Sequence, residues 1–330
     1  MKPYNSHKIP KQNSVEREGF ANWFKGLNRT YLEFNRVSGN VPKDIYGYTN
    51  PSIYQETLGM EGKESGWEEG KVAAEKPNRF LGFFIFFIGL SEVGIKFIFP
   101  LSVFCFGGTY TYGFFNEGMP DGFWSEAYED LKYVLLAFIV FAFFYFGEGV
   151  VFSDKSPLYS FFKAYRIFEL NRKEGMVKIY KKGKLDFEAP FYEFDCCITS
   201  YNDQQGSIFY DMYLIHRYSG DKRVANIGHW LGREAVKDEH RRLWNMLQQY
   251  MDVSRPLPDI LPLEAQRADD PVTAAYDKET GRDSHYWRNM DDETYEKVIA
   301  ERYEQEKSRS VFGPDIMPWI DESEQQGFVA

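Results

Sequence analysis

The fold is decided by Phe80-Leu-Gly-Phe-Phe-Ile-Phe-Phe-Ile-Gly-Leu90, which opens an apolar stretch that ends at Phe152. After a short polar interruption, the first run resumes as Phe97-Ile-Phe-Pro-Leu-Ser-Val-Phe-Cys-Phe106, and a second run covers residues 133–146. A helix needs about 20 apolar residues to cross the hydrocarbon core of a bilayer, and each run approaches that length. Backbone groups in lipid must be bonded within the segment, so both runs should be helical. The sequence predicts a two-pass transmembrane hairpin over residues 80–152.

The alternative is a pair of buried helices inside a large soluble domain. A soluble helix normally carries a polar stripe, and neither run has one. Glu92 and Lys96 interrupt the first run; four residues apart, they share a helix face and can pair. They are the candidate intramembrane polar pair, and the favoured interpretation is a polar spot facing the other helix, with an ion path as the alternative. Pro100 indicates a kink or an end of the first helix.

Charge near the helix ends predicts the orientation, because cytoplasmic flanks are enriched in Lys and Arg. The basic residues that flank the two runs are Lys71, Lys76, Arg79, Lys155, Lys163 and Arg166. The connection over residues 116–130 is acidic and contains no Lys or Arg. Both termini are therefore expected in the cytoplasm, with Trp124, Tyr128 and Tyr133 at the outer interface.

The length and net charge of the whole chain limit the kinds of partner that we expect. The chain has 330 residues and a formal net charge of −10. This balance argues against a nucleic-acid partner and gives no support to a polybasic lipid-binding surface. Cys105, Cys196 and Cys197 do not form a disulfide framework, which fits a reducing compartment for the soluble parts.

The chain divides by composition into six parts. They are a flexible N-terminus (1–20), a β-hairpin segment that can join the cytoplasmic sheet (21–45), a polar linker (46–79), the hairpin (80–152), a cytoplasmic β-rich domain with a terminal helix (158–252) and an acidic, Pro-rich and helical tail (253–330).

Two short pieces of the chain align without gaps: Glu33-Phe-Asn-Arg-Val-Ser-Gly-Asn-Val41 and Glu169-Leu-Asn-Arg-Lys-Glu-Gly-Met-Val177. Each pattern is typical of a strand, a turn and a second strand. The shared turn residues are Asn35, Arg36, Gly39, Asn171, Arg172 and Gly175. Duplication and common hairpin chemistry both explain the match, and the sequence does not decide between them.

Six strands are predicted after Pro157, over residues 165–171, 175–181, 184–188, 191–200, 207–217 and 223–228. A helix over residues 232–251 follows, with an apolar stripe. The sequence therefore predicts an α+β membrane protein in which a two-helix transmembrane hairpin joins an antiparallel β-meander. The meander, closed by one C-terminal helix, is typical of the pleckstrin-homology superfold. Such folds serve many functions.

The tail contains a second predicted helix, over residues 291–307, and then an apolar patch, Phe312-Gly-Pro-Asp-Ile-Met-Pro-Trp-Ile320. Phe312, Ile316 and Trp319 are candidate partner-docking residues. Packing of the same patch back onto the domain is the alternative.

No pattern in the sequence indicates an enzyme. The five histidines form no HExxH motif or metal-ligand spacing, and no nucleophile elbow, phosphate loop or dinucleotide fingerprint is present. Cys196 and Cys197 lie in an apolar strand without a basic neighbour to activate them. We expect no catalytic residue, metal or cofactor.

The two-pass hairpin, the Asn-Arg-x-x-Gly-x-Val turn, and Trp230, Trp244 and the Pro-rich exit of the domain resemble a family of uncharacterised bacterial membrane proteins. Members of that family often lie beside toxin genes of type VI and contact-dependent secretion systems. The resemblance covers residues 22–262 and implies the bacterial inner membrane and an immunity or accessory role. It carries over no catalytic residue.

The expected function is a membrane-anchored protein-binding protein, with a cognate toxin as the candidate partner. Membrane lipid is the second expected contact, and a homo-oligomer is left open. The alternative is a membrane-acting toxin or a lipid-reading signalling anchor.

Overall fold

The structure is a computed structural model. It describes residues 3–10, 12, 28–43, 45, 50–54, 67–68, 70–76, 79–117, 123–151, 164–219, 223–231, 236–313 and 315–316. The chain forms two compact units: Met1–Glu75 with Arg166–Ala330, and Lys76–Tyr165. The class is mixed α+β, with antiparallel sheets and two helices that are long and apolar enough to cross a membrane.

The second unit is helical. Its first helix comprises α1 (Arg79–Val93), a π-helical turn (Gly94–Ile98) and α2 (Phe99–Glu117), which follow one another without a break. The other helix is α3 (Phe123–Val151). The apolar spans within them are Phe84–Phe115 and Tyr128–Gly147.

The first long helix continues through Pro100. Proline lacks an N–H and its ring crowds the carbonyl group four residues earlier. The π turn lies immediately before it, and Phe99 donates its N–H to the oxygen of Gly94, five residues back. Widening the helix by one residue per turn accommodates the proline locally, so α2 continues for 19 residues.

The first unit contains the sheets. Its strands are β1 (Asn28–Leu32), β2 (Phe34–Asn35), β3 (Trp67–Glu68), β4 (Lys71–Lys76), β5 (Tyr165–Asn171), β6 (Met176–Lys181), β7 (Lys184–Pro190), β8 (Phe194–Asn202), β9 (Ile208–His216), β10 (Val224–Asn226) and β11 (Asp315–Ile316). The helices are α4 (Lys237–Met251), α5 (Pro271–Thr280) and α6 (Asp292–Lys307).

The predicted meander is divided between two sheets. One has the order β1-β8-β9-β10, and the other has the order β3-β4-β5-β6-β7. Strands that precede the helical unit in the chain therefore complete both sheets. β1 pairs antiparallel with β8, with Tyr31 opposite Cys197. β3 and β4 lie in the region that composition assigns to a polar linker.

The core of the first unit is built around α4. Trp244 packs its ring against Phe34 and Phe191, with centroids 5.1 and 5.6 Å away. Tyr4 meets Phe191 edge-on at 5.1 Å. The segment around Tyr4 is thus part of the core, although its polar composition predicts a flexible N-terminus. The tail also contributes buried side chains, including Trp287.

Candidate functional site

The outer surfaces of the two long helices are apolar and exposed. Phe104 is 78% exposed, Phe97 69% and Phe146 71%. By contrast, the apolar side chains of α4 are at most 1% exposed. Leaving a large apolar side chain in water forgoes about 1.5–3 kcal/mol, so a continuous apolar surface of this kind requires a cover. Helices at the core of a soluble domain would have these side chains buried.

The two helices pack antiparallel through aromatic rings. Phe87 stacks on Phe144 at 5.0 Å between centroids, and Phe99 meets Phe138 at 4.3 Å. Between these contacts a Cβ atom added at Gly94 would lie 2.7 Å from the Phe141 ring. The absence of a side chain at Gly94 therefore permits the close approach of the π turn to α3.

The polar pair of the first run is formed. Lys96 Nζ donates to Glu92 Oε1 at 2.5 Å, and the two side chains are 54% and 53% exposed. About half of each side chain is therefore covered and half is open. Phe99 and Phe87 bracket the pair and lie level with Phe138 and Phe144. The pair is therefore level with the middle of the charge-free run of α3.

The far ends of the two helices carry polar contacts. Tyr110 donates its hydroxyl to Asp130 at 2.7 Å, and Lys132 pairs with Glu129 at 2.5 Å. The rings of Tyr128 and Tyr133 are exposed, as interfacial aromatic side chains would be. The helix begins at Phe123, so part of the predicted acidic connection is helical. The side chain of Trp124 lies outside the described residues.

The two aligned turn motifs have different structures. Residues 168–177 form the β5–β6 hairpin, with Asn171 opposite Met176. Residues 33–41 do not form a hairpin: β2 pairs instead with β11, where Ile316 lies opposite Phe34. Side chains of α4 accept hydrogen bonds from the backbone of the first motif: the Asn35 N–H donates to the Gln248 side chain at 2.7 Å. The Gly39 N–H likewise donates to the side chain of Gln249 in α4.

Both glycines of the motifs are in the left-handed region, Gly39 at φ +73° and Gly175 at φ +69°. Glycine is the residue that adopts this conformation without steric cost. At Gly175 an added Cβ would also lie 2.6 Å from the backbone nitrogen of Tyr4. The two motifs thus share a backbone feature and differ in what surrounds it.

Arg172 binds the C-terminal end of α4. Its guanidinium donates to the carbonyl oxygens of Tyr250, Asp252 (2.8 Å) and Arg255 (2.8 Å), and to both carboxylate oxygens of Asp270. The last carbonyl groups of a helix have no partner within the helix and carry partial negative charge, which a guanidinium satisfies. Burial raises the pKa of Asp270, but hydrogen bonds from Arg172 and Thr273 outweigh it and leave the pKa below its ordinary value.

Arg36, the equivalent residue of the first motif, has a lesser role. Its side chain makes one hydrogen bond among the described residues, to the carbonyl oxygen of Ser6 at 3.3 Å. Its own carbonyl group accepts from Arg255. Both motifs therefore meet at the end of α4, and only Arg172 satisfies the helix itself.

The predicted docking residues fall into three situations. Ile316 is in β11 and holds the tail against β2. Phe312 is 64% exposed, with the Arg241 guanidinium 4.5 Å above its ring. Trp319 lies outside the described residues. The backbone of Ile316 therefore pairs within the domain, and Phe312 lies at the surface.

A hydrogen-bond chain at the end of β9 joins Glu193, His216 and Ser219. His216 Nε2 lies 3.2 Å from Glu193 Oε2, and Nδ1 lies 2.8 Å from Ser219 Oγ. The carboxylate can only accept, so Nε2 carries the proton and Nδ1 accepts from the hydroxyl. Burial lowers the pKa of His216. The Ser219 N–H also donates to the His216 carbonyl group, so backbone and side-chain bonds together hold this turn in place. We therefore interpret the three hydrogen-bonded residues as structural.

Metal-ligating side chains do not gather in groups of three or more in the part of the chain that the structure describes. Cys196 and Cys197 are both fully buried in β8, and burial raises the pKa of the Cys196 thiol well above its ordinary value. Such a thiol is a poor nucleophile.

Sequence reasoning located the polar pair and the turn motifs but not the convergence of both motifs on α4. No local signal distinguishes Arg172 from Arg36, because the partners of Arg172 lie about 80–100 positions further along the chain. Comparisons with protein-family models, with curated proteins and with solved structures find no match for this chain.

Proposed function

We propose that the protein is a membrane-anchored protein-binding protein of the bacterial inner membrane, acting as an immunity or accessory protein for a secreted toxin. The exposed apolar surface of the two long helices is the observation that carries the proposal. Lipid covers such a surface without any further protein, and two helices suffice for an anchor.

The lengths of the helices fit this role. At about 1.5 Å per residue, residues 79–117 extend about 58 Å, and α3 extends about 44 Å. Both exceed the hydrocarbon thickness of about 30 Å, so the ends reach the headgroup region on each side or the helices tilt. The acidic connection lies outside, and both termini lie in the cytoplasm, because the flanking basic residues favour that side.

The first unit is the proposed binding part. Its two larger antiparallel sheets and the long helix α4 support a pleckstrin-homology-like arrangement. Among the described residues of this unit, Phe312 has the most exposed large apolar side chain. An aromatic ring held in place by a guanidinium is suited to anchoring a protein interface, where aromatic residues and arginine contribute most of the binding energy.

The immunity role rests on the resemblance described above and on the acidic balance of the chain, which suits a basic protein partner. We infer that the protein acts by capture rather than by catalysis. The partner is a protein, lipid holds the anchor, and no cofactor takes part.

The test is purification of the full chain from solubilised bacterial membranes after cross-linking, with mass spectrometry of what co-purifies. We expect a stoichiometric toxin-like protein and protection of cells that co-express it. Phe312→Ala should reduce the capture, whereas Tyr276→Ala, at another exposed ring, should not. Growth arrest caused by the chain alone would instead favour a membrane-acting toxin, and the absence of any partner and of protection would overturn the proposal.

A further inference from the structure

A cavity of about 300 Å³ opens beside the C-terminal half of α6. Four of its lining residues come from α6 and the turn after it, at positions i, i+3, i+4 and i+7, which share one face of a helix: Arg302, Gln305, Glu306 and Arg309. The opposite wall is formed by Gly39, Val41, Pro258 and Asp259. All of these residues belong to the first unit. The volume is at the lower end of the range of ligand sites, which is about 300–1,000 Å³.

The Asp259 carboxylate in the wall of the cavity is already neutralised by the protein. It accepts from Arg282 at 2.8 Å and from Arg302 at 3.1 Å, and Arg267 lies 3.8 Å away. Burial raises the pKa of Asp259, but the three guanidinium groups outweigh it and leave the pKa below its ordinary value. Asp259 is therefore ionised and held by cations, so it does not select a cationic ligand.

Arg309 brings a cation to the cavity without a carboxylate partner among the described residues. Its side chain is exposed, and its Nη1 atom lies over Gly39, where an added Cβ would be 3.3 Å from it. Glu306, the acid on the same helix face, instead accepts from the Val41 N–H at 2.9 Å and from Arg242 at 3.4 Å. The open charge in the cavity is therefore positive.

We propose that this cavity binds a small organic anion, whose carboxylate or phosphate group is held by Arg309 and Arg302. The Arg302 guanidinium is fixed for this role, because it lies 4.5 Å above the Trp287 ring while 29% of the side chain is exposed. A planar guanidinium presents paired N–H donors that match two oxygens of a carboxylate or a phosphate. Val41 and Pro258 line the cavity with apolar atoms for the organic part of the ligand.

The test is isothermal titration calorimetry of the full chain in detergent, with butyrate as the carboxylate probe and glycerol phosphate as the phosphate probe. Arg309→Gln removes the cation that lines the cavity. Lys307→Gln is the matched control, because it removes the same charge from a residue that pairs with Glu304 and does not line the cavity. Gln305→Glu keeps every arginine and adds a negative charge to the lining. Near-ultraviolet circular dichroism of each variant checks that it is folded.

We expect at least one of the two probes to bind at millimolar concentration or below. Arg309→Gln should weaken the binding by about tenfold, since it removes a hydrogen bond between charged groups. Gln305→Glu should weaken it by a similar factor, about tenfold, because like charges then meet in the cavity. Lys307→Gln should change the dissociation constant by less than about twofold, since exposed charges away from the site are screened.

Failure of both probes to bind at millimolar concentration would overturn the proposal. An equal loss of affinity in Arg309→Gln and Lys307→Gln would also overturn it, because a general attraction of anions to this end of α6 gives that result. Unchanged binding by a folded Gln305→Glu variant would place the anion elsewhere and contradict the site. A preference for butyrate or for glycerol phosphate, lost in Arg309→Gln, would support the site and identify the anionic group. The purified chain is titrated alone, so none of these results depends on toxin capture or on the proposed membrane anchor.

Discussion

Replacement of Arg172 by alanine tests how the first unit is held together. The Arg172 side chain is 3% exposed and binds carbonyl groups in and just after the last turn of α4, in addition to Asp270. Alanine removes the guanidinium and leaves the Asp270 carboxylate, half-buried, without its cation. The carbonyl groups lose the guanidinium that donates to them. The expected result is a large loss of stability.

The magnitude follows from the two losses. Breaking a buried ion pair by removal of one partner costs about 3–5 kcal/mol. For a domain of this size each kcal/mol lowers the melting temperature by about 2–4 °C, so the expected decrease is about 6–20 °C. Arg172→Lys keeps the charge but not the planar fork, and should fall between the wild type and Arg172→Ala.

Arg36 provides the matched control, because it occupies the same position in the aligned turn motif. With one hydrogen bond at 3.3 Å among the described residues, Arg36→Ala should cost about 0.5–1.5 kcal/mol. The assay is thermal unfolding of the full chain in detergent, followed by near-ultraviolet circular dichroism. A melting temperature that falls equally in the two variants would refute the reasoning that contacts at α4, rather than the motif itself, give Arg172 its role.

Three further predictions concern packing and pH. Gly175→Ala should lower the melting temperature more than Gly206→Ala. Both positions have positive φ, but only at Gly175 would an added Cβ meet backbone atoms. Equal decreases in the same assay would contradict this geometry. Gly94→Ala should weaken the helical unit, as measured by its resistance to protease in detergent, whereas Gly82→Ala, with no atom within 4 Å, should not. Burial lowers the pKa of His216, so below pH about 6.5 the unfolded chain binds more protons than the folded chain. The free energy of unfolding should therefore decrease as the pH is lowered through this range. In chemical denaturation between pH 5 and 6.5, His216→Gln should flatten that dependence, and an unchanged slope would assign it to other groups.

Local pattern was sufficient for the elements whose signal lies in their own residues. The alternation before the first turn predicted residues 165–171, and β5 is Tyr165–Asn171. The helix predicted over 291–307 is α6, Asp292–Lys307, with Asp291 capping its N-terminus by accepting from Thr294. Apolar runs of this length also predicted two long helices. Each of these signals is contained within a single element.

Local sequence patterns could not predict the pairing of strands that lie far apart in the chain. β4 reads Lys-Val-Ala-Ala-Glu-Lys, a short and partly polar strand in a Gly-rich region, and one of its two neighbours in the sheet, β5, comes after the whole helical unit. β2 is two residues long, and its partner β11 is near the other end of the sequence. Neither strand is long enough to show a clear periodicity, and each pairs with a strand that is distant in the chain.

The role of the helices is tested most directly by extraction of bacterial membranes that contain the full chain with alkaline carbonate, which releases peripheral proteins and leaves integral ones in the pellet. If the hairpin spans the membrane as proposed, the chain stays in the pellet and enters solution only with detergent, because lipid then covers the exposed phenylalanine side chains of both helices. Release of the chain into the carbonate supernatant as a soluble, monodisperse protein would contradict the membrane anchor.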